Sequence, residues 1–282
     1  MSDEEREPII RRILVALDAS PHSLAALEAA VVLAAELNAE LVGLFVQDVD
    51  LLRLADLPFV RELGLYSAMS RPVDASQVER ELRARARRAE QALAVMAERA
   101  HVRWSFRVVR GAIATELLEA ATQADLISLG RVGWSVAGRG RLGSTARAVL
   151  TQVSSHALVV QQGVQLKPPF VAVYDGSALA GKALAIAARL ALDKEVELLV
   201  LAAADDPDEA EDLHAAAADW LETRGVRARF RQLTDGTVLR LLHMLRAECC
   251  GTLILPAESA LLRDEALSTL VEELDFAVLL IR

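Results

Sequence analysis

The sequence predicts an α/β protein built from two successive doubly wound units, each a parallel sheet with helices on both faces. Three observations predict it. Short apolar runs alternate with longer helical stretches along the whole chain. The runs are continuously apolar, as in LLVLAA at 198–203, and a strand apolar on both sides is buried on both sides, as parallel strands are. The whole programme occurs twice, on either side of QQGVQLKPP (161–169), whose glycine and two prolines cannot continue a helix or strand.

In chain order, the first half reads as a strand over 13–17, a helix over 21–37 and a strand over 40–46. An irregular segment, 47–75, follows. It carries Pro58, Gly64 and Pro72 among Leu51, Leu52, Phe59, Val60, Leu65 and Tyr66, and reads as a partly ordered flap. The next helix, 76–100, opens with a capping-box pattern, Ser76 and Glu79, and carries Arg80, Arg83, Arg85, Arg87 and Arg88 as a solvated face. A strand at 103–109, a helix at 113–123, a strand at 125–129, a helix from Thr145 and a strand at 157–160 complete this half. The second half restarts at Phe170, where FVAVYDGS repeats ILVALDAS and puts Asp175 in the place of Asp18. Further on, DGTVLRLLHMLRAECCGTLILPA echoes the block from Gly111 to Arg131. The chain is thus expected to be an internal duplication, with units at 1–165 and 166–282.

Composition fits that plan. At 282 residues with 53% apolar and 4% aromatic side chains, the chain can bury a substantial core packed by Ala, Leu and Val. No apolar run reaches the ~18 residues that a membrane span needs. MSDEEREP is acidic where a secretory signal is basic and then apolar, so a cytoplasmic location is expected. Cys249 and Cys250 are neighbours, which predicts two reduced thiols, and the five histidines form no metal-ligand spacing. Residues 1–165 hold 19 Arg and no Lys against 20 acids, net −1, whereas 166–282 hold 12 basic and 20 acidic groups, net −8. An anionic ligand is repelled less by the first half, and the balance gives no support for nucleic-acid binding.

The chemistry concentrates at GRVGWSVAGRGRLGS (130–144), directly after an apolar strand. Glycines let backbone N–H groups approach an oxyanion, and a helix starting at Ser144 or Thr145 would aim its free amides at the same place. From Leu126 through Tyr174 there is no acid, while Arg131, Arg139, Arg141 and Arg147 cluster. Gly138, Gly140 and Gly143 form a G-x-G-x-x-G, but it does not close the strand directly and lacks the ribose-binding acid about 20 residues on, which argues against a dinucleotide site.

The spacing that fits is G-x2-G-x9-G-S, at Gly130, Gly133, Gly143 and Ser144, with Asp18 ending the first strand in RRILVALDAS. In these residues the chain resembles the ATP-binding branch of the universal stress protein family. The resemblance implies Rossmann-like sheets of order 3-2-1-4-5, paired antiparallel through their last strands within one chain as a pseudo-twofold dimer of units. It also implies ATP, with or without Mg2+, as cofactor. Ala16 would lie beneath adenine, Asp18 would hydrogen-bond near the base, and backbone groups around Val46 would meet its edge. Gly130 would follow the ribose, and Gly133, Gly143, Ser144 and Thr145 would meet the phosphates, with Arg131 beside them. An unidentified protein partner and a homodimer are further expectations of the resemblance.

The second half has Pro256 where Gly130 stands, no glycine after it, and Glu258, Asp264 and Glu265 in place of the basic loop. It reads as a degenerate partner unit, with Asp175 kept as a helix cap; Asp18 could cap its own helix in the same way. No Ser-His-Asp set, carboxylate pair or positioned base appears, and DASPHS replaces the H-x-G-H or S-G-G-x-D-S of nucleotidyl-transfer enzymes. His22 in that loop reads as exposed. The leading expectation is an ATP-dependent regulatory or protective module; a slow ATPase and a binding module for a hydrophobic ligand under the flap are the alternatives.

Overall fold

The computed structural model describes residues 10–57, 61–63, 70–72, 74–132, 142–234, 236–262, 266–273 and 275–282. Its first half runs β1 (Arg12–Ala16), α1 (Pro21–Leu37), β2 (Glu40–Asp48), α2 (Val49–Ala55), β3 (Arg61–Leu63), β4 (Ser70–Pro72), α3 (Ala75–Arg99), β5 (Trp104–Gly111), α4 (Ile113–Ala121), β6 (Leu126–Gly130), α5 (Ser144–Gln152) and β7 (His156–Val160). The second half runs β8 (Phe170–Tyr174), α6 (Ala178–Asp193), β9 (Leu198–Ala203), α7 (Pro207–Glu222), β10 (Ala228–Leu233), α8 (Val238–Ala247), β11 (Thr252–Pro256), α9 (Ala266–Glu273) and β12 (Ala277–Ile281).

Ten strands form one sheet in the order β10-β9-β8-β11-β12-β7-β6-β1-β2-β5. Counted within each half, this is the 3-2-1-4-5 order twice, and the palindrome is what a pseudo-twofold between β7 and β12 requires. In this sheet the pairing inside each half is parallel, and the central pair is antiparallel, with Leu158 opposite Leu279. Alternation along the strands divides the core into two layers that run through both halves. Ile13 and Val15 belong to the layer under α1, α3, α6 and α7; Leu14 belongs to the layer under α4, α5, α8 and α9. All five residues of β7 and of β12 are buried, so the seam between the halves is core rather than surface. On its flank Lys194 pairs with Glu36 at 2.7 Å, and burial raises the Glu36 carboxyl pKa although Lys194 works against it.

Local details correct the expected caps. Ser20, not Asp18, caps α1: its hydroxyl accepts from the Ser23 N–H at 3.2 Å, with Pro21 in the first turn, where its missing N–H costs nothing. Asp18 instead accepts from the Ser20 N–H at 2.8 Å, an Asx turn. The second half repeats the arrangement, with Asp175 taking the Ser177 N–H and Ser177 capping α6. Helix α3 is capped by Asp74, whose carboxylate accepts from the Ser76 N–H at 2.9 Å, so the Ser76–Glu79 box is not used and Glu79 pairs with Arg83. Those hydrogen bonds from Ser76 lower the Asp74 pKa. The 47–75 segment holds a helix, α2, and the antiparallel pair β3–β4. Phe59, Val60, Leu65 and Tyr66 lie outside the described residues.

The duplicated turn contains a testable strain. Ala19 has φ 60°, and its counterpart Gly176 has φ 76°. An L side chain in this left-handed region costs about 1 kcal/mol relative to glycine. Ala19→Gly is therefore expected to raise stability by about 0.5–1 kcal/mol, and Gly176→Ala to lower it by about as much, read as opposite shifts of the urea midpoint.

Candidate functional site

The strand order reverses between β1 and β6, which are neighbours although β6 follows β5 in the chain. Ligands of such sheets bind outside the carboxyl ends of the strands at that point. There a cavity of about 630 Å³ opens, within the range of about 300–1,000 Å³ common for small-molecule sites. Seven of the nine residues expected at the site line it: Ala16, Asp18, Val46, Gly130, Gly143, Ser144 and Thr145. The eighth, Gly133, lies outside the described residues, as do Arg139 and Arg141.

Arg131 is the departure. It is not on the cavity wall; its guanidinium turns to the second half and donates to the Glu272 carbonyl at 3.0 Å. Arg147 likewise pairs with the Glu272 carboxylate at 2.9 Å. Among the described residues, the basic cluster that resembles a phosphate counter-charge in the sequence is thus engaged with α9. What faces the cavity at this end is backbone. Gly143 is the N-cap of α5, makes no side-chain cap, and uses its own N–H on the Arg131 carbonyl at 2.9 Å. The first intrahelical bond is that of the Arg147 N–H to the Gly143 carbonyl, so the amides of Ser144, Thr145 and Ala146 have no carbonyl within the helix. With the hydroxyls of Ser144 and Thr145 beside them, these amides form a cradle at the positive end of α5 that has the chemistry to receive an anion. Gly143 sits at φ −61° and ψ 148°, which any residue adopts, so its contribution is the missing side chain rather than an unusual backbone.

Gly130 has a different reason. A Cβ there would lie 2.8 Å from the His22 carbonyl carbon and 2.9 Å from the Ser23 nitrogen, so glycine lets the end of β6 touch the first turn of α1. His22 is correspondingly not an exposed loop residue. It is half-buried, and its Nδ1 accepts from the Gln162 N–H at 3.1 Å, tying the turn to the linker. Burial first, then the Arg131 charge, lowers its pKa against the opposing pull of Asp18.

The cavity is also lined by the apolar side chains of Leu17, Leu44, Leu82, Ile113 and Leu117, by Leu51 of α2 and by Asp18 and Asp48. Arg85 of α3 also reaches it, paired with Glu81. Its place in an arginine-rich helix suggests a solvated side chain, but it is half-buried where Arg80, Arg83, Arg87 and Arg88 are exposed. The signal was legible: Arg85 falls three residues after Leu82 and one before Ala86, on the edge of the buried stripe of α3.

Residues 10–161, more than half of the chain, match the universal stress protein family. The chain belongs to that family. A search of curated proteins finds no match for this member. Among solved structures, a universal stress protein from Archaeoglobus fulgidus DSM 4304 is 18% identical, covers 95% of this chain and 97% of its own, and has a TM-score of 0.72. A candidate universal stress protein from Pseudomonas aeruginosa UCBPP-PA14 is 14% identical over 96% of this chain and 92% of its own, with a TM-score of 0.58. A universal stress protein solved in complex with cAMP is 25% identical over 55% of this chain and 98% of its own, with a TM-score of 0.37. The first two extend the fold likeness over both halves of this stress protein. Among its described residues no group of His, Cys, Asp and Glu is placed to hold a metal, and no helix is long and apolar enough to cross a membrane. Cys249 is exposed and Cys250 is half-buried, and desolvation pushes the Cys250 thiol pKa up, away from reactivity.

Proposed function

We propose that this universal stress protein binds one adenine nucleotide, ATP, in the first-half cavity and acts as a nucleotide-dependent regulatory or protective module in stress. The observation that carries the reading is the first turn of α5, which has no side-chain cap and lines a cavity of fitting volume together with Asp18 and Val46. The triphosphate lies at Gly143, Ser144 and Thr145, and the base lies toward Ala16, Asp18 and Val46. In this reading residues 1–165 form the binding unit and 166–282 a partner unit without a site. In support, Pro256 occupies the place of Gly130: it pairs with Ile281 as Gly130 pairs with Val160, and it has no N–H to offer.

Titration calorimetry with ATP and magnesium is expected to give one site per chain. Gly143→Val, which puts a branched side chain on the cavity wall without disturbing φ, is expected to weaken binding roughly tenfold or more while circular dichroism stays native. Two equivalent sites, no binding at millimolar ATP, or an unchanged affinity in the variant would each overturn the reading.

The apolar lining favours one alternative, a hydrophobic metabolite held against Leu51, Leu82, Ile113 and Leu117. Mass spectrometry of ligand carried through purification separates it from ATP. A slow ATPase is separated from simple binding by metal-dependent release of phosphate.

A further inference from the structure

Between the two halves, one residue of the second half holds both ends of the cradle in the first, one by its carboxylate and the other by its carbonyl. Glu272, near the end of α9, accepts the Leu142 N–H at 3.2 Å and the Arg147 guanidinium at 2.9 Å through its carboxylate, and its carbonyl accepts the Arg131 guanidinium at 3.0 Å. These partners are far from it in sequence and close to the cradle: Arg131 follows Gly130, Leu142 precedes the N-cap Gly143, and Arg147 lies in the second turn of α5. The carboxylate side chain is 26% exposed, so water competes only in part for these bonds. Leu142 is buried, and the two stems are joined directly where the Gly143 N–H meets the Arg131 carbonyl at 2.9 Å.

We propose that Glu272 is a positioning residue through which the second half sets the nucleotide affinity of the first, a regulation that rests on the nucleotide reading of the cavity. Three physical points support it. The aim of the Ser144, Thr145 and Ala146 amides depends on how the residue before the N-cap is held, and the Glu272 carboxylate adds to the burial of Leu142 the hydrogen bond that fixes its N–H. A lone carboxylate near the α5 N-terminus would repel phosphate, but the Arg147 guanidinium offsets its charge at 2.9 Å. Moreover α9 runs directly into β12, the strand paired with β7, so a shift of the second half moves Glu272 with it. Coupling of this kind is reciprocal, and nucleotide binding therefore also stiffens the contact of α9 with the first half.

The test compares Glu272→Ala, which removes anchor and charge, with Glu272→Gln, which keeps an amide oxygen for the Leu142 N–H. Calorimetry with ATP is expected to show roughly tenfold weaker binding for Glu272→Ala and affinity within about threefold of wild type for Glu272→Gln. Hydrogen exchange without nucleotide is the second readout: amides from Leu142 to Arg147 are expected to exchange faster in Glu272→Ala and at the wild-type rate in Glu272→Gln. Equal affinity and equal exchange in all three proteins would overturn the proposal, as would tighter binding in Glu272→Ala, which would make Glu272 a restraint. If wild type binds no ATP, the nucleotide reading fails, while the exchange comparison still decides whether Glu272 anchors α5. Should Glu272→Ala not fold, Arg147→Ala serves in its place, with the same direction expected in both readouts.

Discussion

Replacing Gly130 by alanine is expected to cost about 2–3 kcal/mol of folding stability and, on the proposed nucleotide reading, to abolish ATP binding. The added Cβ would stand 2.8 Å from the His22 carbonyl carbon and 2.9 Å from both the His22 oxygen and the Ser23 nitrogen. These are backbone atoms of the first turn of α1, and α1 cannot retreat: Ala26, Leu27, Ala30 and Leu33 behind them are fully buried. The end of β6 must move instead, which breaks its register with β7 at Val160 and displaces one wall of the cavity. Urea unfolding should show a lower midpoint with an unchanged slope. Gly181→Ala is the control, since nothing lies within 4 Å of the place its Cβ would take and it sits within α6; it is expected to be neutral or mildly stabilising. A wild-type midpoint for Gly130→Ala would show that the β6–α1 contact yields without cost.

Acidification is expected to remove about 3 kcal/mol of stability through one group, His156. This histidine opens β7 and is 8% exposed; its Nδ1 accepts the Arg282 N–H at 2.9 Å. Burial, with the Lys182 charge, the opposing Asp125 and then Arg282, lowers its pKa from 6.5 to about 4. Between those values the unfolded chain binds a proton that the folded one does not. Stability therefore falls as pH drops from 6.5 toward about 4, and this group adds no slope above 6.5. Glu36 acts in the opposite sense, because its raised pKa favours the folded state as pH falls through the same region. The comparison must accordingly be differential. His156→Asn keeps an acceptor for the Arg282 N–H and cannot be protonated there, so its urea midpoint should fall less between pH 7.5 and pH 4.5 than that of wild type. Parallel losses in the two proteins would remove His156 from the account.

Most of the fold was legible in the chain because strands and helices are written in near-neighbour patterns. LLVLAA, the repeated DAS and DGS turns, and the breakers of 161–169 each act over a few residues, and such patterns placed α1 and the first-half strands β1, β2, β5, β6 and β7 to within about two residues, whereas α2, β3 and β4 fell in the stretch read as a flap. The glycine spacing likewise pointed to the end of β6 and the start of α5, and seven of the expected residues meet there. Caps were harder, since Ser20, Asp74 and Ser76 all lie close to a helix start and small differences in backbone path select the donor. Hardest were the arginines. Charge in a sequence has no direction: Arg131 and Arg147 looked like phosphate ligands because no acid lies near them in the chain, yet Glu272 lies beside both in space. Arg85 looked solvated, yet it reaches the cavity. Periodicity and turn chemistry are local and survive in one dimension. Which charge meets which partner depends on how two separately encoded halves are brought together, and that is settled by the antiparallel seam of β7 and β12.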